Sequence, residues 1–216
     1  MKLPLSKRLK KQVHREIALA QDLLVRELYL VFPQAIIHGG TAIWRCYQGQ
    51  RFSEDLDVFI LRDLKKIHRF YTHLEKAGFT VERKKIGGNS IYSTLRFHRA
   101  TVRFEAVFKH ENTMLGMYET VEGNFVPVYT FTPEGFIRDK VKAYLNRRKI
   151  RDLYDIFFLL PKVKDKSRIQ EALQKLFQHY QPPFDEKELA AFILEGVAPS
   201  AQKMKEFIEI YGISKT

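Results

Sequence analysis

One cysteine, Cys46, is all that the 216 residues contain. That excludes an internal disulfide and any cysteine-built metal cluster. Proline (8) and glycine (11) are too sparse for a low-complexity or disordered chain. No apolar run approaches the ~20 residues of a membrane-spanning helix. The basic start MKLPLSKRLKKQ is followed by no signal-type apolar segment. These absences lead to the expectation of a soluble, cytoplasmic protein with no membrane partner. Negative charge is also in short supply, with 25 Asp and Glu against 37 Lys and Arg and a formal net charge of +12. Such a surplus favours polyanion partners: nucleotides, RNA, DNA or an acidic protein. Hydrophobic residues make up 45% of the chain, enough for a real core. The length fits one ordinary domain, or a catalytic core with a small helical lobe.

Hydrophobic spacing predicts a helix over residues 6–30, capped by Ser6, with Leu9, Val13, Ile17, Leu24 and Leu28 on one face. Pro33 ends it. A short buried strand (Ala35 to His38) runs into a glycine turn, and TAIWRCYQG reads as a short helix closed near Gly49. Asp55 to Leu61 alternates as a strand, and Asp63 caps a helix running to about Gly78. From Phe79 to Tyr129 the segments FTVERKK, IYSTLRFH, TVRFEAVF and NFVPVYTF are β-rich and separated by turns. Thr132 then caps a helix with Pro133 in its first position. Further helices are expected at about 151–161, 166–179, 185–195 and 200–211. The division expected is an α/β core over residues 1–131 and a helical lobe over 132–216.

The chemistry concentrates in HGGTAIWRCYQGQRFSEDLDVFI. Side chains alternate along a strand, so Asp55 and Asp57 share a face. Two carboxylates so placed repel each other unless a cation lies between them, and hard divalent ions bind through one or two carboxylates plus substrate phosphates. Gly39 and Gly40 allow close approach of backbone to a phosphate, the following helix offers its N-terminal N–H groups, and Thr41 adds a hydroxyl. Downstream, Lys140, Tyr144 and Arg147 fall on one helical face, with Asp152 placed to orient the lysine or to take part in acid–base work. A structural salt-bridged helix pair is the alternative. In TVRFEAVF, Arg103, Glu105 and Val107 share one face and Val102, Phe104 and Ala106 the other. Glu105 thus stands on the same face as Arg103 and can pair with it or with a cross-strand Arg96. His38, Trp44 and Phe52 read as packing residues, and KKIGGN (84–89) as a β-turn.

GGTAIW followed by RFSEDLDVF resembles the nucleotidyltransferase signature of the AbiEii/AbiGii toxin-like branch of the polymerase-β-like superfamily: GGT, then R-x-S-x-D-x-D. Gly39, Gly40, Thr41, Arg51, Ser53, Asp55 and Asp57 occupy those positions. FIRDKVKAYLNRRKIRDLYDIFFLL (136–160) is similar to the branch's second motif, with Lys140, Arg147, Arg151, Asp152, Tyr154 and Asp155 in order. The likeness implies an α+β fold, a polymerase-β-like core with a mixed sheet followed by a C-terminal helical lobe. It implies Mg²⁺ or Mn²⁺ on Asp55, Asp57 and Glu105, and Asp55, Asp57, Lys140 and Asp152 as the catalytic set. An NTP would meet Gly39, Gly40, Thr41, Arg51, Ser53, Lys140 and Arg147. The superfamily more often has Asp where this chain has Glu105. The expected activity is NMP transfer from an NTP to RNA, foremost a tRNA end, by the toxin of a toxin–antitoxin pair with a cognate antitoxin as partner. Transfer to protein, and a catalytically silent nucleotide- or RNA-binding module, are the alternatives.

Overall fold

A computed structural model describes residues 4–213. The chain divides into two compact units, one up to Thr130 and one from Phe131 onward.

The first unit is built on seven strands: β1 (Ile36–His38), β2 (Leu56–Ile60), β3 (Thr80–Ile86), β4 (Ser90–Phe97), β5 (Ala100–Phe108), β6 (Met114–Glu119) and β7 (Phe125–Thr130). They form one sheet in the order β3-β4-β5-β2-β1-β7-β6. The sheet is mixed: β2 runs parallel to β5 and β1 to β7, whereas the other pairs are antiparallel. The alternation expected of TVRFEAVF is observed, for Val102, Phe104 and Ala106 are fully buried and Arg103, Glu105 and Val107 exposed. The buried face packs against two helices, α2 (Gln12–Val31) and α4 (Leu64–Lys76). Phe70 of α4 lies 5.1 Å from Phe104, ring centre to ring centre, and the Tyr71 hydroxyl hydrogen-bonds Ser93. Asp63 caps α4 as expected, accepting from the Lys66 N–H at 3.0 Å.

Three expectations for the elements are corrected. The helix over 6–30 is interrupted. A short α1 (Leu5–Arg8) ends at Leu9, where the backbone turns extended, and α2 starts afresh at Gln12; Leu5 and Leu9 are both buried. Arg15 Nε donates to the freed Leu9 carbonyl at 2.7 Å. Ser6 lies inside α1 rather than capping it, and Val13 is half exposed. Strand β6 was not foreseen. MLGMYE has a glycine at its centre and does not alternate cleanly, and it pairs only along one edge, with β7. In the second unit, the helix expected over 185–195 shrinks to a 3₁₀ turn (Glu186–Glu188) and α8 (Leu189–Phe192). The backbone turns extended at Ile193, and Gly196 then takes φ +84°.

The first of the remaining helices, α3 (Gly39–Cys46), belongs to the sheet unit. The second unit comprises α5 (Pro133–Arg147), α6 (Ile150–Leu159), α7 (Ser167–Gln178), α8 and α9 (Ala201–Ile213). Thr132 Oγ1 accepts from Gly135 N–H, and Pro133 takes the first turn, as the sequence predicts. Phe136, Ile137, Val141 and Tyr144 on α5 meet Leu153, Ile156 and Leu159 on α6 in a core closed by Leu173, Leu176, Met204 and Ile208. No described helix is long and apolar enough to cross a membrane.

Candidate active site

The glycine turn and the acidic strand are adjacent because β1 and β2 are antiparallel neighbours, with His38 opposite Asp57. Directly after His38 the backbone swings to φ +70° at Gly39, a conformation that disfavours any residue with a Cβ, and α3 begins. A Cβ on Gly39 would collide with Asp57 Oδ2. A Cβ on Gly40 would lie 2.7 Å from both Arg51 Nη2 and Ser53 Oγ. The GGT and R-x-S-x-D-x-D segments therefore interlock: the space left by each missing side chain is taken by a motif residue.

Thr41 is fully buried, and its hydroxyl donates to the main-chain oxygen of Asp55. It thereby holds the acidic segment in place and is not open to solvent. Gln21 of α2 supports the same segment, donating from Nε2 to the Ser53 carbonyl at 2.9 Å and reaching Thr41 Oγ1 at 3.4 Å. Gln21 was missed. Its signal was a fully polar side chain on the apolar stripe of Ile17, Leu24 and Leu28. Removing the hydroxyl with Thr41→Val leaves a buried carbonyl short of a donor. We expect it to lower stability by about 1–3 kcal/mol, read from the shift of the thermal melt.

Asp55 precedes β2 by one residue and sits beside Arg103 of β5. Arg103 Nε donates to Oδ1 at 2.7 Å and Nη2 to Oδ2 at 2.8 Å, a two-pronged ion pair. The hydrogen bond to Asp55 raises the guanidinium pKa above its usual value, against the opposing pull of partial burial. Asp57 is in register with Glu105. Among the described residues Glu105 forms no ion pair with either alternative partner: Arg103 is bonded to Asp55, with the Glu105 charge only adding to the field on it, and Arg96 is bonded to Glu82 at 2.7 Å. The donor chemistry fits a hard divalent ion: two carboxylates on one sheet face, and a third on the adjoining strand one strand spacing away, ~4.8 Å. Among the described residues, however, no three Asp, Glu, His or Cys side chains converge as a ligand group, and Arg103 supplies Asp55's positive partner.

The remaining expected residues lie in the helical unit. Lys140 Nζ is 3.0 Å from Asp152 Oδ1 and 2.6 Å from Asp155 Oδ2. Arg147 Nε and Nη2 donate to Asp152 at 2.7 and 2.9 Å. Both carboxylates are buried, and the lysine side chain is only 9% exposed. Burial pushes the Asp152 carboxyl up, but Lys140 and Arg147 outweigh it and bring it down to about 2. Of the salt-bridged helix pair that the sequence offers as the alternative, the Arg147–Asp152 pair is present, with Lys140 between the two carboxylates.

The aromatic candidates are packing residues. Trp44 and Phe52 are buried with rings 4.8 Å apart, and His38 stacks on Phe59 at 4.0 Å. Arg45, passed over in the sequence, is fully buried between the rings of Trp44 and Tyr118 and pairs with Asp22 of α2, anchoring α3.

No curated protein matches this chain. Two solved structures from Helicobacter pylori share its fold. JHP933 is 20% identical, with a TM-score of 0.60 over 90% of this chain and 91% of that one. A second protein, described as a candidate nucleotidyltransferase, is 19% identical with a TM-score of 0.63 over 94% and 96%. The family described as nucleotidyl transferase AbiEii toxin, of type IV toxin–antitoxin systems, matches residues 22–209. With both motifs inside that span, the chain belongs to the AbiEii nucleotidyltransferase family.

Proposed function

We propose that this nucleotidyltransferase moves NMP from an NTP to the end of an RNA, with tRNA foremost, as the toxin of a toxin–antitoxin pair. The observation that carries the assignment of its centre is the interlock of Gly39 with Asp57 and of Gly40 with Arg51 and Ser53. It fixes a carboxylate, a hydroxyl and a guanidinium around the start of one helix. The main-chain N–H groups at that start favour negative charge. Ser53 donates to a phosphate oxygen there, and Arg51 offsets its charge. Thr41 and Gln21 keep Asp55 and Ser53 from drifting. Asp55 and Asp57, with Glu105 alongside, would hold Mg²⁺ or Mn²⁺, which would neutralise phosphate charge and ease deprotonation of the acceptor hydroxyl. The rest of the rate enhancement rests on positioning. In the helical unit, Asp152 acts as a positioning residue that fixes the cations Lys140 and Arg147. The net charge of +12 supports a polyanionic acceptor, and the family description supports an antitoxin partner.

The test is transfer from each labelled NTP to total tRNA with Mg²⁺, by wild type and by Asp57→Ala. Label is expected in tRNA with wild type only, the variant falling by on the order of a thousandfold, the equivalent of several kcal/mol of lost charge stabilisation. Label in added lysate protein instead would overturn the RNA acceptor. Equal labelling by Asp57→Ala would overturn the assignment of the centre.

A further inference from the structure

The row of side chains that contains Asp57 does not end at Glu105. Register carries it to Tyr92 on β4 and Lys85 on β3. The row beside it runs from Arg103 through Thr94 to Arg83. Residues opposite one another in a sheet point to the same face, so these side chains share the face of Asp57. On the other side of the same strands Ile91, Leu95, Val102, Phe104 and Ala106 are fully buried. The near side is open: Arg83, Lys85, Tyr92, Arg103 and Glu105 are all exposed. The Tyr92 hydroxyl makes no hydrogen bond among the described residues, and the residue is 36% exposed.

An exposed tyrosine on a strand is ordinary by itself, because aromatic residues favour strands. Its position is what matters. Tyr92 lies two strand spacings from Asp57, ~10 Å, with cations of the edge strand beyond it. A flat ring flanked by basic side chains is how single-stranded nucleic acid is held without duplex geometry: bases stack on the ring and phosphates meet the cations. A protein partner would need a more apolar core to its interface than this face offers. Glu105, between Asp57 and Tyr92, repels phosphates, so a strand crossing here keeps its backbone toward β3.

We propose that the open face of β3, β4 and β5 seats the single-stranded 3′ end of the RNA acceptor, with a base near the terminus stacked on Tyr92 and its phosphates against Arg83 and Lys85. The inference rests on the RNA-acceptor reading above and adds the surface that reading lacks.

Fluorescence anisotropy with a labelled single-stranded RNA oligonucleotide, without NTP or metal, tests it on the full chain. Tyr92→Ala is expected to weaken binding about tenfold, and Tyr92→Phe to bind as wild type. Arg83→Glu with Lys85→Glu is expected to weaken binding and to flatten its salt dependence. All three positions are exposed, so thermal melts should stay at the wild-type value, and in turnover Tyr92→Ala should raise KM for RNA while leaving kcat. Wild-type affinity in both Tyr92→Ala and the charge-reversed variant would overturn the proposal even if Asp57-dependent transfer to RNA persists. Equal affinity for duplex RNA would overturn the single-stranded seat, and equal affinity for the matching DNA would overturn its restriction to RNA. If wild type neither binds nor labels RNA, this inference and the acceptor reading fall together, while labelling of protein would keep the transferase.

Discussion

Gly39→Ala is expected to abolish NMP transfer as completely as loss of Asp57 itself, at a stability cost of only about 1–2 kcal/mol. The two effects have separate causes. The modest cost comes from the backbone, since φ is +70° at this position and a Cβ there is strained whatever surrounds it. The loss of activity comes from the collision with Asp57. The atom struck is the end of a carboxylate, so the fold relieves the clash by turning that carboxylate away rather than by unfolding. Gly40→Ala provides the contrast. Its Cβ would press on Arg51 Nη2 and Ser53 Oγ and leave Asp57 untouched. That variant is expected to raise KM for NTP with a smaller loss of kcat, because it disturbs groups assigned to the phosphates. Steady-state kinetics and thermal melts on both variants, prepared in parallel, decide the matter. A Gly39→Ala enzyme with wild-type kcat would remove Asp57 from the chemistry.

Much of this site was legible because its parts lie close in sequence. A glycine turn, a short helix and a strand beginning with two carboxylates are local patterns, and the period of two in TVRFEAVF announces which face is buried. The rest depends on contacts that sequence spacing does not encode. Asp55 finds Arg103 across 48 positions, through the parallel pairing of β2 with β5, so sequence reasoning could offer Arg103 only its near neighbour Glu105, as an alternative to a ligand role for that glutamate. Arg96 was likewise offered to Glu105 and is taken by Glu82 across a hairpin. The hydroxyl of Thr41 looked available for phosphate because nothing in GGT reveals that α2 and the Ser53–Asp55 segment close over it. The break at Leu9 escaped notice for a related reason: Leu5 and Leu9 keep helical spacing across it, and the Arg15 side chain that takes up the freed Leu9 carbonyl lies six residues further on. Edge strand β6 gives a weak signal because its exposed Leu115 and Met117 mimic neither a polar face nor a core.

Lys140→Met is expected to destabilise the helical unit by about 3–5 kcal/mol, the largest stability effect of any single substitution considered for that unit. The lysine's ammonium is shared by Asp152 and Asp155, which are 0% and 1% exposed. Methionine fills much of the volume but leaves two carboxylates buried without that cation. Arg147 remains on Asp152, yet its own side chain is 46% exposed and compensates less well. Acid sensitivity reports the same loss. With Lys140 present, the Asp152 carboxyl is held at about 2, against an ordinary 3.8. A carboxylate depressed by folding stabilises the native state above its unfolded value and loses that contribution as pH falls through its folded value. In wild type the contribution, about 2 kcal/mol, disappears between roughly pH 4 and pH 2. In Lys140→Met the folded value rises, so the native state takes up protons earlier and the acid limb of the stability curve moves to higher pH. Adding Asp152→Asn should recover part of the loss at neutral pH, because a neutral amide costs less to bury than an unmatched carboxylate. Urea unfolding of the two single variants and the double variant gives the coupling directly. Additive losses, or an acid limb unmoved by Lys140→Met, would show that the cluster does not hold the two helices together. Strong coupling, with nucleotide affinity then measured on the stabilised double variant, separates the lysine's part in the fold from any part in binding phosphate.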